Sequence, residues 1–411
     1  MIRKEEGYMS KGRFIVIVLD SFGVGAMDDV LEVRPNDYGS NTALHLIEYD
    51  IEKKWDNLTS LGLMNVLDYE TDSLKKSENA IFGKSKLKHF GADSYFGHQE
   101  IVGTNPPRPV FEKIQGYLDE LEDDFVSKGY RVDRISRGEL QILKINNAIC
   151  VGDNMETDLG QAINVVGALD YCGFEMIDAV GHIVRNHVKV PRVIAFGGSG
   201  VTIEDIENNV IVKGDFIGID APGSGVYKSN YHVDHIGYGV DKNVQLPTRL
   251  GKIGVENHLY GKAENIIYSP NGTGYNCVDT AETFDAIIKD MDTYKYGFFL
   301  LNIQETDLSG HGQNPERYIN VLNIADKKLG ELMQKLNDDD IMIVMADHGN
   351  DPTIGHSKHT RENVPLLIYK KNHKGLINIG LRDTMADVGQ TAAEYFGTKI
   401  DFGTSFFKDL K

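Results

Sequence analysis

The chain has 411 residues, enough for two or three domains of about 150 residues, and its 41% hydrophobic and 25% charged content excludes a disordered or fibrous protein. With 43 Lys and Arg against 61 Asp and Glu the formal charge is −18, a field that repels nucleic-acid phosphates and anionic membranes, so neither is an expected partner. An anionic substrate needs local cations or metal ions to reverse that field.

The first apolar run, Phe14–Leu19, is β-branched and aliphatic without alternation and ends in Asp20 and a glycine-rich turn. This predicts a central strand buried on both faces, with Asp20 at its carboxyl end. The run is far shorter than the ~18 residues that span a bilayer. Acidic Glu5 and Glu6 precede it and no small-residue cleavage site follows, so no secretory signal is expected. Residues 68–88 are polar and lysine-rich, and a solvated loop or short exposed helix is expected there. Beyond the Asn105-Pro-Pro-Arg-Pro109 break, the sequence predicts an acidic helix over Glu112–Lys128, then short strands and helices. Val193–Phe196 reads as a sheet-edge strand leading into a Gly197-Gly-Ser-Gly200 turn. The middle of the chain is therefore expected to be an inserted domain, residues 105–246. Residues 1–104 and 247–411 then form one discontinuous domain.

The strand syntax returns late in the chain. Tyr296–Ile303 runs into Gln-Glu-Thr-Asp307, and Ile341–Met345 runs into Ala-Asp347-His348. Between them Pro315–Asn337 has a helical apolar period through Tyr318, Leu322, Ala325, Leu329 and Leu332. Strand, helix, strand implies a parallel sheet, and ligands bind such sheets beyond the strands' carboxyl ends, so exits at both ends of the chain converge. Three cysteines, Cys150, Cys172 and Cys277, are odd in number and form no CxxC pair, which suits a reducing, cytoplasmic setting. Composition leaves the oligomeric state open.

Asp20, Asp307, His311, Asp347, His348 and His359 carry oxygen or imidazole donors at strand or turn exits. Asp307 and His311 face one another across a tight turn or one helical turn. Taken singly, an Asp after a strand is a turn former or helix cap, and a histidine is a surface or core residue. Taken together, six such donors fit a two-ion site that clamps a phosphoryl group, with ions about 3.5–4 Å apart. Mixed carboxylate and imidazole ligation suits Mn²⁺, Zn²⁺ or Fe²⁺ better than Ca²⁺ or Cu⁺. His356 is a spare.

These motifs resemble the alkaline phosphatase superfamily of metalloenzymes, and most closely its phosphopentomutases. The resemblance runs through Ile17-Val-Leu-Asp20, Asp37-Tyr-Gly-Ser-Asn-Thr42, Phe90-Gly-Ala-Asp-Ser94, Leu250-Gly-Lys-Ile253, Ala346-Asp-His-Gly-Asn-Asp-Pro352, His359-Thr-Arg-Glu362 and Phe402-Gly-Thr-Ser-Phe406. It implies an α/β fold: an alkaline-phosphatase-like core with a parallel-rich sheet flanked by helices, plus an inserted α+β cap. By the same resemblance Ser94 is a nucleophile that becomes phosphorylated; the other reading of Ser94 is an N-cap for a helix over Tyr95–Val102. Asp20, Asp347 and His348 hold one ion, and Asp307, His311 and His359 the other. The ions are Mn²⁺ first, with Zn²⁺ or Mg²⁺ as alternatives, and a sugar bisphosphate is the activator. Arg192, Lys228 and Lys252 fall in segments that resemble the family's phosphate-binding cations. Asp153 and Asp234 are candidates for contacting a sugar hydroxyl.

Phosphopentomutases carry Thr where this chain has Ser94. The four-residue spacing of Asp307 and His311 is that of metal-dependent phosphoglycerate mutases. The implied activity is transfer between C1 and C5 of (deoxy)ribose phosphate, a small phosphorylated substrate, through a phosphoserine. Alternatives are a phosphomonoesterase, a mutase of another phosphorylated substrate, or a metal-binding scaffold that has lost turnover.

Overall fold

The computed structural model describes residues 12–50, 54–156 and 159–411, so Glu5 and Glu6 lie outside the described residues. The chain forms two compact units, one from the stretch ending at Pro106 together with Asp241–Lys411, the other from Pro107–Val240.

The first unit is built on eight strands: β1 (Arg13–Leu19), β2 (Ala80–Ser85), β3 (Asn257–Tyr260), β4 (Gly272–Tyr275), β5 (Gly297–Ile303), β6 (Ile341–Met345), β7 (Val364–Tyr369) and β8 (Leu376–Arg382). Their order across the sheet is β4-β3-β5-β1-β6-β7-β2-β8. The non-alternating runs are central: every residue of β1, β5 and β6 is buried, and β1 pairs in parallel with β5 and β6. Leu19 lies opposite Ile303 and Val18 opposite Met345, so the three strands deliver their following residues to one end of the sheet. β7 runs antiparallel to both its neighbours, which makes the sheet mixed.

The helix between β5 and β6 spans Pro315–Lys335. It starts where Asn314 accepts a hydrogen bond from the Arg317 N–H and proline occupies the first turn. Its buried face carries Tyr318, Val321, Leu322, Ala325, Leu329 and Leu332. Each large apolar side chain buried there contributes about 1.5–3 kcal/mol. The entry to β1 is fixed by charge: fully buried Arg13 binds the Asp340 carboxylate through its backbone N–H and its guanidinium, and also donates to the Met291 and Lys335 carbonyls.

Of the solvated loop or short exposed helix expected over residues 68–88, residues 69–79 are irregular, but 80–85 form β2, a largely buried strand between β7 and β8. Its Ala80-Ile-Phe-Gly run is too short for a clear pattern, and Lys84 masks it. That lysine sits in the strand, and burial pushes its ammonium pKa down.

The second unit holds another eight-stranded sheet. Strands His232–Gly237, Arg192–Gly198, Ala162–Ala168, Ile149–Asn154, Leu140–Ile145 and Val132–Arg137 are adjacent in that order, and Val210–Lys213 and Phe216–Ile219 pair beside Ile149–Asn154. The Arg192–Gly198 strand is thus interior rather than an edge. It is covered by His232–Gly237, whose His, Asp and Gly residues hide its strand character in sequence, and Gly197 and Gly198 continue the strand instead of turning. The acidic helix is also shorter than expected: a 3₁₀ turn at Ile114–Gly116 precedes Leu118–Ser127. Asp153 pins that turn by accepting from the Ile114 and Ile217 N–H groups. Its carboxylate is fully buried in this structural tie, which removes it as a sugar contact. Among the described residues no helix is long and apolar enough to cross a membrane.

Candidate metal centre and nucleophile

Asp20 follows β1, Asp347 and His348 follow β6, and Asp307 and His311 lie one turn apart on the short Glu305–His311 helix after β5. Parallel pairing of the three strands brings their exits together. The ligand atoms of Asp20, Asp347 and His348 lie within 4.8 Å of one another, as do those of Asp307, His348 and His359. His311 Nε2 completes the set, 3.2 Å from Asp307 Oδ2 and 3.0 Å from His359 Nε2. The rings of His348 and His359 stack with centroids 3.9 Å apart.

The imidazoles share one device. His311 Nδ1 donates to the Ser357 carbonyl, His348 Nδ1 to the Gly349 carbonyl and His359 Nδ1 to the Ala92 carbonyl, at 2.7–2.9 Å. Fixing the proton on Nδ1 turns each Nε2 lone pair inward, as ligation requires. The donor set fits cations on two further observations. Asp20 Oδ1 and His348 Nε2 are buried without a hydrogen-bond partner, yet face each other at 3.4 Å. Two Nε2 lone pairs, of His311 and His359, also meet at 3.0 Å, a contact that a shared positive charge makes favourable.

Electrostatics agree with this donor set. Burial would raise the Asp307 carboxyl pKa, but the neighbouring His311, His359 and His348 imidazoles hold it well below the usual range. For Asp347 burial is likewise overcome, by the adjacent His348 and His98 imidazoles. Burial disfavours charge on His348, yet the Asp347 and Asp20 carboxylates hold its pKa well above the ordinary value, so the site favours positive charge at that Nε2. His359 is lowered by burial and by its His348 neighbour, which keeps it in the neutral, ligating form.

Ser94 opens the Ser94–Ile101 helix, but the cap is its neighbour: Asp93 accepts from the Phe96 N–H, which corrects the N-cap reading of Ser94. Ser94 Oγ instead donates to Asp347 Oδ2 at 2.6 Å. Glycine at position 97 permits this approach, since a Cβ there would stand 2.7 Å from the Asp347 carbonyl oxygen.

The sequence reading missed Lys262. Its Nζ donates to Ser94 Oγ at 2.5 Å and to Asp20 Oδ2 at 2.9 Å. Burial would lower its pKa, but the Asp20, Asp347 and Asp307 carboxylates raise it, so it is a fixed cation. The available signal was the strand exit: Lys262 follows β3 through Gly261, whose φ of 65° and close approach to the Asn302 carbonyl admit no side chain. Also missed were Asn302, which donates to Asp20 Oδ2, Asn350, which donates to Asp307 Oδ1, and His98.

Of the three cations expected to bind phosphate, one belongs to the first unit and two to the second. Lys252 ends the Leu246–Lys252 helix with its side chain exposed. Arg192 is half-buried at a strand start in the Pro107–Val240 unit, where Lys228 is exposed. His356 lies beside Asp37, its Nε2 3.2 Å from Asp37 Oδ1. Asp234 is half-buried in the second unit, near Asp178 and His182.

A family model described as the Metalloenzyme superfamily matches residues 12–400. A phosphopentomutase of Caldanaerobacter subterraneus subsp. tengcongensis is 30% identical, with 97% of this chain and 98% of that protein covered. Among solved structures, phosphoglycerate mutase of Leishmania mexicana is similar at 12% identity and a TM-score of 0.41, covering 98% of each chain. Alkaline phosphatase of the Antarctic bacterium TAB5 is similar at 12% identity and a TM-score of 0.37, covering 94% of this chain and 98% of that one.

Proposed function

For a chain that belongs to the Metalloenzyme superfamily, as a phosphopentomutase-like, metal-dependent phosphomutase, we propose interconversion of (deoxy)ribose 1-phosphate and 5-phosphate through a phosphoserine on Ser94. The observation that carries this reading is the meeting of Ser94 Oγ with Asp347 of the donor cluster and with the Lys262 cation. Asp20, Asp347 and His348 would hold one divalent ion and Asp307, His311 and His359 the other, Mn²⁺ first, with Zn²⁺ or Mg²⁺ as alternatives. Two such ions, when bound, lower the pKa of a hydroxyl and neutralise phosphate charge during in-line transfer.

The chain's own groups do the rest. A sugar bisphosphate first phosphorylates Ser94, one of its P–O ester bonds breaking as P–Oγ forms and the freed sugar oxygen taking the serine proton. The P–Oγ bond then breaks as a bond forms from phosphorus to the 5-oxygen of the 1-phosphate, whose proton passes to the departing Oγ. In the return step the bond from phosphorus to the 1-oxygen breaks as P–Oγ re-forms, and the 1-oxygen takes the serine proton. Lys262 stabilises negative charge on Oγ whenever the serine is the leaving group. The start of the Ser94–Ile101 helix directs backbone N–H groups and a positive dipole end towards the phosphoserine. Lys252, Arg192 and Lys228 remain proposed contacts for the substrate's other phosphate, and the Pro107–Val240 unit is proposed as the cap that excludes water. The free cysteines support a cytoplasmic setting.

The test is incubation of Mn²⁺-loaded protein, primed with glucose 1,6-bisphosphate, with ribose 1-phosphate, following ribose 5-phosphate and free phosphate together. Ribose 5-phosphate without phosphate release is expected. Stoichiometric phosphate release would make the protein a hydrolase, and absence of both products would reject the pentose substrate.

A further inference from the structure

His98 lies one helical turn after Ser94 and is completely buried, yet no ligand or nucleophile role falls to it. Both ring nitrogens are engaged. Nδ1 is 2.9 Å from the Ser94 carbonyl oxygen and 3.2 Å from Asp347 Oδ2. Nε2 is 3.0 Å from Asn302 Nδ2, and the same amide nitrogen donates to Asp20 Oδ2 at 3.0 Å. An amide nitrogen only donates and a carbonyl only accepts, so the tautomer follows: the proton is on Nδ1, and Nε2 accepts from Asn302. Turning the Asn302 amide over would set its oxygen against the Asp20 carboxylate.

We infer that His98 and Asn302 are a positioning bridge that holds Asp347 and Asp20 in register as ligands to one ion and ties both to the backbone of the nucleophile. The inference rests on the two-ion reading of the site. The bridge links Asp347, His98, Asn302 and Asp20 in series, and the two carboxylates at its ends are those that converge on His348 Nε2. It has a particular use during turnover. In the resting site Asp347 Oδ2 also accepts the Ser94 hydroxyl proton, a bond that cannot exist once Oγ carries a phosphoryl group. His98 Nδ1, 3.2 Å from that oxygen, then remains beside it, so the ligand keeps a fixed polar neighbour while the serine changes state. A histidine kept only for packing needs neither nitrogen on a ligand carboxylate. Partners that orient metal ligands in this way are worth roughly 10- to 100-fold in metal affinity when removed.

The test is calorimetric titration of chelator-stripped protein with Mn²⁺ alone, with thermal unfolding of the stripped protein alongside. In His98→Phe one of the two binding steps is expected to weaken by about 10- to 100-fold while the other changes less than about threefold. His98→Asn, which keeps a donor near the Nδ1 position, is expected to recover part of the loss. Asn302→Ala should weaken the same step, and the double variant should lose less than the product of the single losses, because the two side chains act in series. Native affinity in both steps of His98→Phe overturns the bridge; if that variant does not fold, native affinity in Asn302→Ala does so. Equal weakening of both steps would mark His98 as a packing residue and also overturns it. Failure of the wild-type protein to bind two ions would instead reject the underlying reading of the site.

Discussion

Around Ser94, two demands on one helix start are divided between neighbours. Asp93 takes the cap, which leaves the Ser94 hydroxyl to meet Asp347 and Lys262. Ser94→Ala should therefore abolish phosphoenzyme formation, read by transfer of labelled phosphate from a bisphosphate, while two Mn²⁺ ions still bind; normal turnover would remove Ser94 from the nucleophile role. His359→Ala is expected to drop the bound Mn²⁺ from two ions to one, measured by metal analysis after gel filtration, and two ions at full affinity would contradict its assignment. Lys262→Met keeps the volume and loses the charge. Its kcat should fall by about 100-fold, the order seen when one donor to a developing oxyanion is removed.

Whole elements depend on close approaches that a single residue permits. The Ser94–Ile101 helix passes Asp347 at Gly97, where an added Cβ would stand 2.7 Å from a backbone oxygen and 2.9 Å from the Asp347 Cβ. Gly97→Ala must displace the helix or the β6 exit. A stability loss of about 1–3 kcal/mol by denaturant unfolding, with a larger proportional loss of turnover, is the expected outcome. In the second unit the Ile114–Gly116 turn is pinned by Asp153, whose pKa burial pushes up to about 6 against the two backbone bonds it accepts. The sign follows from linkage. Between its unfolded value near 4 and about 6 the folded state binds more protons, so this group's contribution to stability declines as pH rises through that window. Asp153→Asn should flatten the pH dependence of unfolding there, at the cost of one backbone bond.

At the scale of the molecule, a formal charge of −18 surrounds a site where Asp20, Asp307 and Asp347 are buried together. Lys262 and the histidines offset part of that charge, and bound divalent ions offset more. Ions that bind only the folded state stabilise it by mass action, about 2.7 kcal/mol for each site at a free concentration 100 times its Kd. Chelation should lower the midpoint of thermal unfolding, and added Mn²⁺ should restore it. A midpoint indifferent to both would argue against ions held by the folded cluster.

Several features were legible in the chain alone because they are local. Unbroken apolar runs marked β1, β5 and β6 as doubly buried, and the helical period of 315–337 implied the crossover that makes them parallel. Once they are parallel, acidic and imidazole residues at their exits must share one end of the sheet. What escaped was whatever depends on a distant partner. β2 is a strand because β7 and β8 flank it, not because of its own pattern. Arg192–Gly198 is interior because an unobvious strand, His232–Gly237, pairs outside it. Lys262, His98 and Asn302 carry no motif of their own, since a lysine, a histidine and an asparagine are ordinary residues until folding sets them against Ser94, Asp347 and Asp20. Periodicity and spacing determined which groups were available and on which strand ends. Only the tertiary structure decided which of them meet, because a hydrogen bond of 3.0 Å joins Asn302 to Asp20 across 282 positions.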